Sequence, residues 1–178
     1  MGKREEVEIS SAIPVMMPTM AESHWSLNMP SYYDEKAKCR VGEMDEKQFY
    51  SECDEDSARF FKSLVKAWAK AGGTLKWGAG GVGLRSSIGG SGKPAKEVGL
   101  CFLAPKFAGK QDRIELSCTA LAKQIGESAV KALQDGLRTA GGDHVKGATM
   151  VSIVCPGQMS TKSQKAIIAS LLSVANGS

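Results

Sequence analysis

The chain has 178 residues, of which 42% are hydrophobic and 24% are charged, and this composition is typical of one soluble globular domain. Charged residues, glycine or serine interrupt every apolar stretch before it reaches the roughly 18 residues of a membrane-spanning helix, so no membrane partner is expected. The five cysteines are widely spaced and include no C-x-x-C pair, which favours neither a disulfide framework nor a zinc site. We therefore expect a reduced, cytoplasmic chain without a metal or other cofactor.

The net charge of +4 conceals two oppositely charged regions. Residues 1–56 contain 6 basic and 13 acidic side chains and carry a net charge of −7, whereas residues 57–178 contain 17 and 6 and carry +11. Such asymmetry indicates an acidic partner, of which nucleic acid is the first candidate. We therefore divide the chain into an acidic N-terminal arm, residues 1–56, and a basic body, residues 57–178, which forms a single domain.

The arm shows no sustained helical or strand period over its first 45 residues, so an irregular, extended segment is expected there. It is too apolar to remain in water throughout, and it either packs along the body, where its acidic residues would mask the basic surface, or extends to a partner. Methionine and aromatic side chains suit such a partner-binding surface. Those of the arm are Met16, Met17, Met20, Trp25, Tyr32 and Tyr33.

The body begins with the clearest helical pattern in the chain. From about residue 56, Phe60, Leu64 and Trp68 recur every four residues, and the pair Gly72 and Gly73 ends the helix. Four strand-like segments follow, and their short glycine-rich connections predict an antiparallel meander with one solvated face. These segments cover residues 74–77, 82–88, 97–103 and 113–118.

The last third of the chain predicts a helix at 127–140 after a turn at 121–125, then a strand at 148–154 buried on both faces. The final helix covers 161–175, where Thr161 and Gln164 fit a capping box. Together these elements predict an α+β fold, in which a mainly antiparallel sheet of about five strands carries helices mostly on one face.

Two glycine-rich segments resemble phosphate-binding motifs. The spacing of Gly78, Gly80 and Gly83 matches a dinucleotide-binding pattern, but a strand follows it where that pattern needs a helix, so a hairpin is expected. The second segment resembles the end of a P-loop but has Pro94 where the loop needs serine or threonine. If it held a phosphate, the ligands would be Gly90, Ser91, Gly92 and Lys93.

Basic side chains form the best-supported candidate site. Four of them follow one face of the first helix over about 16 Å, which is long enough to track several phosphates. Others come from the solvated sheet face and from the loop at 105–112, close to the aromatic residues Trp77 and Phe107. The complete candidate set for polyanion binding is Arg59, Lys62, Lys66, Lys70, Lys76, Arg85, Lys106, Lys110 and Arg113.

No general base can be nominated from the carboxylates, and Glu115 is expected to pair with Arg113 or Arg85. The leading hypothesis is thus a non-catalytic cytoplasmic module that binds a polyanion, with nucleic acid as the first candidate, mostly through electrostatic contacts. One alternative is a protein-interaction or assembly subunit that uses the arm. The other is an enzyme that acts on a phosphorylated small molecule at the glycine-rich loops.

Overall fold

The structure of the protein, a computed structural model, describes residues 32–34, 39–88, 96–107 and 110–175. The strands in these ranges are β1 (Tyr32–Asp34), β2 (Cys39–Val41), β3 (Thr74–Gly78), β4 (Gly81–Ile88), β5 (Lys96–Ala104), β6 (Arg113–Ser117), β7 (Val145–Lys146) and β8 (Met150–Val154). The α-helices are α1 (Glu46–Glu52), α2 (Glu55–Lys70), α3 (Cys118–Ile125), α4 (Glu127–Gly141) and α5 (Thr161–Ala175).

The main sheet has six strands in the order β3-β4-β5-β6-β8-β7, and every neighbouring pair is antiparallel. The predicted α+β fold is therefore confirmed, and the predicted four-strand meander forms its first four strands. The sixth strand, β7, has only two residues, which is too short for a periodic pattern to reveal. Strands β1 and β2 form a separate antiparallel pair inside the stretch that was expected to be irregular.

Helices cover one face of this sheet. Val82, Leu103, Ile114 and Ile153 are cross-strand partners on that face, and all four are fully buried. They belong to the same core as the inward side chains of α2, α4 and α5. Strand β8 alternates between buried and partly exposed positions, so the prediction that it is buried on both faces is wrong. The alternation arises because its second face lies on the side of the sheet away from this core.

Three details of the predicted elements need correction. The strand expected to reach Cys118 ends one residue earlier, and the predicted turn at 121–125 is part of α3. Helix α5 covers the predicted range, but Ser160 caps it by accepting a hydrogen bond from the Ser163 backbone N–H at 3.1 Å. Gln164 donates instead to the carbonyl oxygens of the 3-10 turn and of the residue after it, so the predicted capping box is wrong.

Part of the acidic region contributes to the core. Asp45 caps the N-terminus of helix α1, because its carboxylate accepts a hydrogen bond from the backbone N–H of Gln48 at 2.7 Å. Met44 and Phe49 are fully buried, and Phe49 packs against Phe61 of α2 at 5.5 Å between ring centroids. Any truncation that tests the arm must therefore keep the chain from Met44 onward. Within the described ranges, every helix falls short of the length and apolar character needed to cross a bilayer.

We expect four of the five cysteines to react with iodoacetamide only when the chain opens. Cys53, Cys101, Cys118 and Cys155 are buried free thiols. Burial raises the pKa of Cys101 to about 12, and it also raises the pKa of Cys53 and of Cys155. The thiolate is the reactive form, and burial also keeps the reagent away from all four sulfur atoms. Alkylation of these four at pH 8 should therefore be at least ~100-fold slower in the native protein than in urea. Mass spectrometry of the peptides measures both rates, and equal rates would contradict the described packing.

Candidate nucleic-acid interface

The face of the sheet opposite the helices has its own set of side chains, and we call it the open face. The strand register aligns one residue from each of the six strands across it, and we call this set the central row. The row spans about 24 Å, because neighbouring strands lie roughly 4.8 Å apart. In order across the sheet it consists of Lys76, Gly83, Phe102, Glu115, Ser152 and Lys146.

An aromatic side chain occupies the third position of this row. Phe102 is half-buried, and its neighbour Gly83 has no side chain to cover it. The ring leans over the β3–β4 turn, where a Cβ atom on Gly81 would lie 3.2 Å from Phe102 Cζ. Gly78 pairs with Gly81 across the hairpin, which confirms the predicted hairpin at these glycines. The glycines therefore leave a low surface around a single aromatic ring.

A buried arginine holds the carboxylate next to this ring. Arg113 is only 8% exposed, and its Nε donates to Glu115 Oε1 at 2.6 Å. Its guanidinium carbon lies 5.6 Å from the centre of the Phe107 ring, and its Nη1 donates to the Gln111 carbonyl oxygen at 3.3 Å. The expected pairing of Glu115 with Arg113 is therefore present. Because its charge is neutralised and buried, Arg113 positions Glu115 and is poorly placed to contact phosphate.

Lysines at both ends of the central row are exposed. Lys76 lies on the edge strand β3, and Lys146 lies on β7 at the opposite edge. Arg85 is on the same face but pairs with Glu97 at 2.8 Å. The Thr74 hydroxyl, and then Arg85, hold the pKa of the Glu97 carboxyl below its usual range. Among the basic side chains of the strands on this face, the arginines form ion pairs with carboxylates, and the two lysines are available to bind a ligand.

The basic side chains of α2 lie on the other side of the sheet. Arg59 pairs with Glu55 and Asp56 on its own helix, and the Lys62 ammonium lies 5.0 Å from the centre of the Tyr50 ring. The remaining lysines, Lys66 and Lys70, are exposed and form no ion pair with other described residues. The nine predicted polyanion-binding residues therefore do not form one surface.

The loop between β5 and β6 holds two further predicted residues. Lys106 forms an ion pair with Asp54, and the hydrogen bond and charge of that partner raise the pKa of Lys106. The Lys110 ammonium lies 5.9 Å from the centre of the Phe107 ring. Trp77 points to the helix side, where its ring packs 5.8 Å from Phe49. Neither aromatic residue expected near the lysines is thus free to stack on a base.

Sequence patterns overlooked Phe102, Ser152 and Lys146. Phe102 lies between the buried residues Cys101 and Leu103, and this alternation already placed it on the solvated side of a strand. Its alignment with Glu115 and Lys76 depends on register, which the sequence does not reveal. The phosphate-loop candidates Gly90, Ser91, Gly92 and Lys93 lie outside the described residues, as do Met16, Met17, Met20 and Trp25. Tyr32 and Tyr33 belong to β1, and the partner-binding role of the arm stays a prediction.

A groove of about 690 Å³ lies between α3, α4 and the residues before β8. Its floor includes the buried residues Cys118 and Val130, and the Arg138 side chain at its rim donates to the Gly147 carbonyl oxygen at 2.6 Å. Charged residues of both signs line it, namely Lys123, Lys131 and Arg138 against Glu127 and Asp135. This mixed rim lacks the single sign of charge that a polyanion site needs.

The described residues contain no group of three or more histidine, cysteine or acidic side chains arranged to hold a metal ion. Comparisons of the chain with protein-family models, curated proteins and solved structures found no match.

Proposed function

We propose that the protein is a non-catalytic module that binds single-stranded nucleic acid on its open face. The observation that carries this proposal is the central row, in which exposed lysines flank a half-buried aromatic ring on the side of the sheet away from the helices. Lysines neutralise phosphates, and a ring such as Phe102 stacks on a base of any identity. The buried free thiols agree with a reducing compartment, and we place the protein in the cytoplasm.

The shape of the face favours single strands over duplexes. Bases in a duplex are already stacked, so only an unpaired base can lie flat on Phe102. Gly83 leaves space beside the ring for the sugar, and Lys76 follows at the next strand, about 10 Å from the ring position. A strand that crosses the sheet can thus place a phosphate at the edge and a base at the centre.

Paired charge reversals test which surface is used. Lys76→Glu with Lys146→Glu changes the open face, and Lys66→Glu with Lys70→Glu makes the same change of charge on α2. Binding is measured by fluorescence anisotropy with a labelled single strand of roughly 12 nucleotides. We expect the open-face pair to weaken binding at least ~10-fold and to lower the salt slope by about 1.4, and the α2 pair to weaken it less than ~3-fold.

Phe102→Leu tests the stacking contact separately from charge. Leucine retains an apolar side chain on the face but removes the aromatic ring, so we expect single-strand binding to fall by about 1–3 kcal/mol. The salt slope should stay unchanged, because no cation is lost.

A stronger effect of the α2 pair than of the open-face pair would move the interface to the helix. No binding by the unmodified protein at about 50 mM salt would overturn the proposed function.

A further inference from the structure

We infer that the open face prefers bases with an amino group at the position of cytosine N4 or adenine N6, so that cytosine binds above uracil, and that Glu115 sets this preference. The inference rests on the proposed function, since it requires a base stacked on Phe102. The preference follows from the Glu115 carboxylate, which accepts hydrogen bonds and cannot donate them. Where cytosine presents its N4 amino donor, uracil presents the O4 carbonyl oxygen, and the N3–H donor of uracil lies at the centre of its pairing edge.

The order of residues in the central row determines which way the base points. Phe102 and Glu115 are direct cross-strand partners. The Cβ atoms of such partners lie about 5 Å apart. Lys76 lies on the other side of the ring, beyond Gly83. A phosphate bound at Lys76 places the sugar above Gly83, so the pairing edge, which is remote from the sugar, faces Glu115.

The Glu115 carboxylate is held in place and has an oxygen to offer. Its Oε1 accepts from Arg113 Nε, and that arginine is itself fixed by Phe107 and by the Gln111 carbonyl oxygen. Its Oε2 has no hydrogen-bond partner among the described residues, and the side chain is 33% exposed. A fixed acceptor discriminates between bases, because a base that places its own acceptor opposite Oε2 forms no hydrogen bond there.

The next residue in the row does not oppose this preference. Ser152 follows Glu115 on β8, and its hydroxyl both donates and accepts hydrogen bonds. It therefore adjusts to any base, and the discrimination comes from the carboxylate. Adenine also carries an amino group on this edge and should behave like cytosine.

The test compares labelled oligo-C, oligo-A and oligo-U strands of equal length on the full chain. We expect the unmodified protein to bind the C and A strands about 10-fold more tightly than the U strand. Glu115→Gln should reduce this ratio to within about 2-fold, because a carboxamide offers both a donor and an acceptor. Its overall affinity should stay the same or rise, since one negative charge is lost.

Glu97→Gln is the matched control. Glu97 also forms an ion pair on the open face, with Arg85, but it lies outside the central row. This variant should change the affinity for all strands equally and keep the preference. Equal binding of C and U strands by the unmodified protein, still dependent on Phe102, would overturn the base preference and leave the proposed function standing. A preference that survives in Glu115→Gln would also overturn it, whereas no binding to any strand overturns the function itself.

Discussion

Replacing Asp112 with alanine should lower the free energy of unfolding by about 3–5 kcal/mol, because the carboxylate accepts two hydrogen bonds from backbone N–H groups. Asp112 is fully buried, and its oxygens accept from the N–H of Lys106 at 2.7 Å and of Asp54 at 2.8 Å. Its own carbonyl oxygen accepts from the Cys155 N–H at 2.9 Å. One residue thus joins the β5–β6 loop, the start of α2 and the end of β8.

Urea unfolding of the variant measures this loss. Asp112→Asn keeps the shape of the side chain, but its amide NH2 group replaces one of the two acceptor oxygens and leaves one backbone N–H without an acceptor. This variant should therefore recover less than half of the stability that Asp112→Ala loses. Asp135→Ala, on the exposed surface of α4, is the matched control and should stay within about 0.5 kcal/mol of the unmodified protein. A loss below about 1 kcal/mol in Asp112→Ala would show that this junction contributes little.

The junction also bears on the proposed site. Asp112 immediately precedes β6, the strand that carries Arg113 and Glu115. Its hydrogen bonds fix where this strand begins, and therefore which residue of β6 lies beside Phe102. The stability of the junction and the geometry of the central row are thus linked through the register of one strand.

Local sequence patterns were sufficient for most of the fold. The four-residue spacing of Phe60, Leu64 and Trp68 predicted α2, and alternation along β6 predicted a half-buried strand. Helix α1 was missed because its seven residues contain a single buried side chain, Phe49, and one apolar position defines no period. Its position is determined by packing against Phe61 and Trp77, which are distant in sequence.

The candidate site was less predictable, because it depends on strand register and on distant ion pairs. The register between β4 and β5 shifts between Leu84 and Arg85, and this shift decides what faces Phe102. The net positive charge of the body also does not show which basic side chains are paired with carboxylates. The pairs Arg85–Glu97 and Lys106–Asp54 join residues 12 and 52 positions apart, which no local pattern reveals. The available cations could be separated from the neutralised ones only in three dimensions.

Gly157→Ala should destabilise the protein by about 3 kcal/mol or more, at the upper end of what overpacking costs. A Cβ atom on Gly157 would lie 2.2 Å from the backbone nitrogen of Ser57 and 2.3 Å from the carbonyl carbon of Asp56. These atoms belong to the first turn of α2, which cannot retreat because the buried rings of Phe60 and Phe61 anchor the helix in the core. The methyl group must therefore displace the 3-10 turn at Pro156–Gln158.

Gly99→Ala provides the matched control, since a Cβ atom on Gly99 of β5 meets no atom within 4 Å. Alanine is better suited than glycine to a strand interior, so this variant should unfold at the same urea concentration as the unmodified protein or at a higher one. The comparison separates the general effect of adding a methyl group from the specific contact at α2. If Gly157→Ala unfolded together with Gly99→Ala, the turn would have room to move, and the close approach of Gly157 to α2 would not constrain the fold.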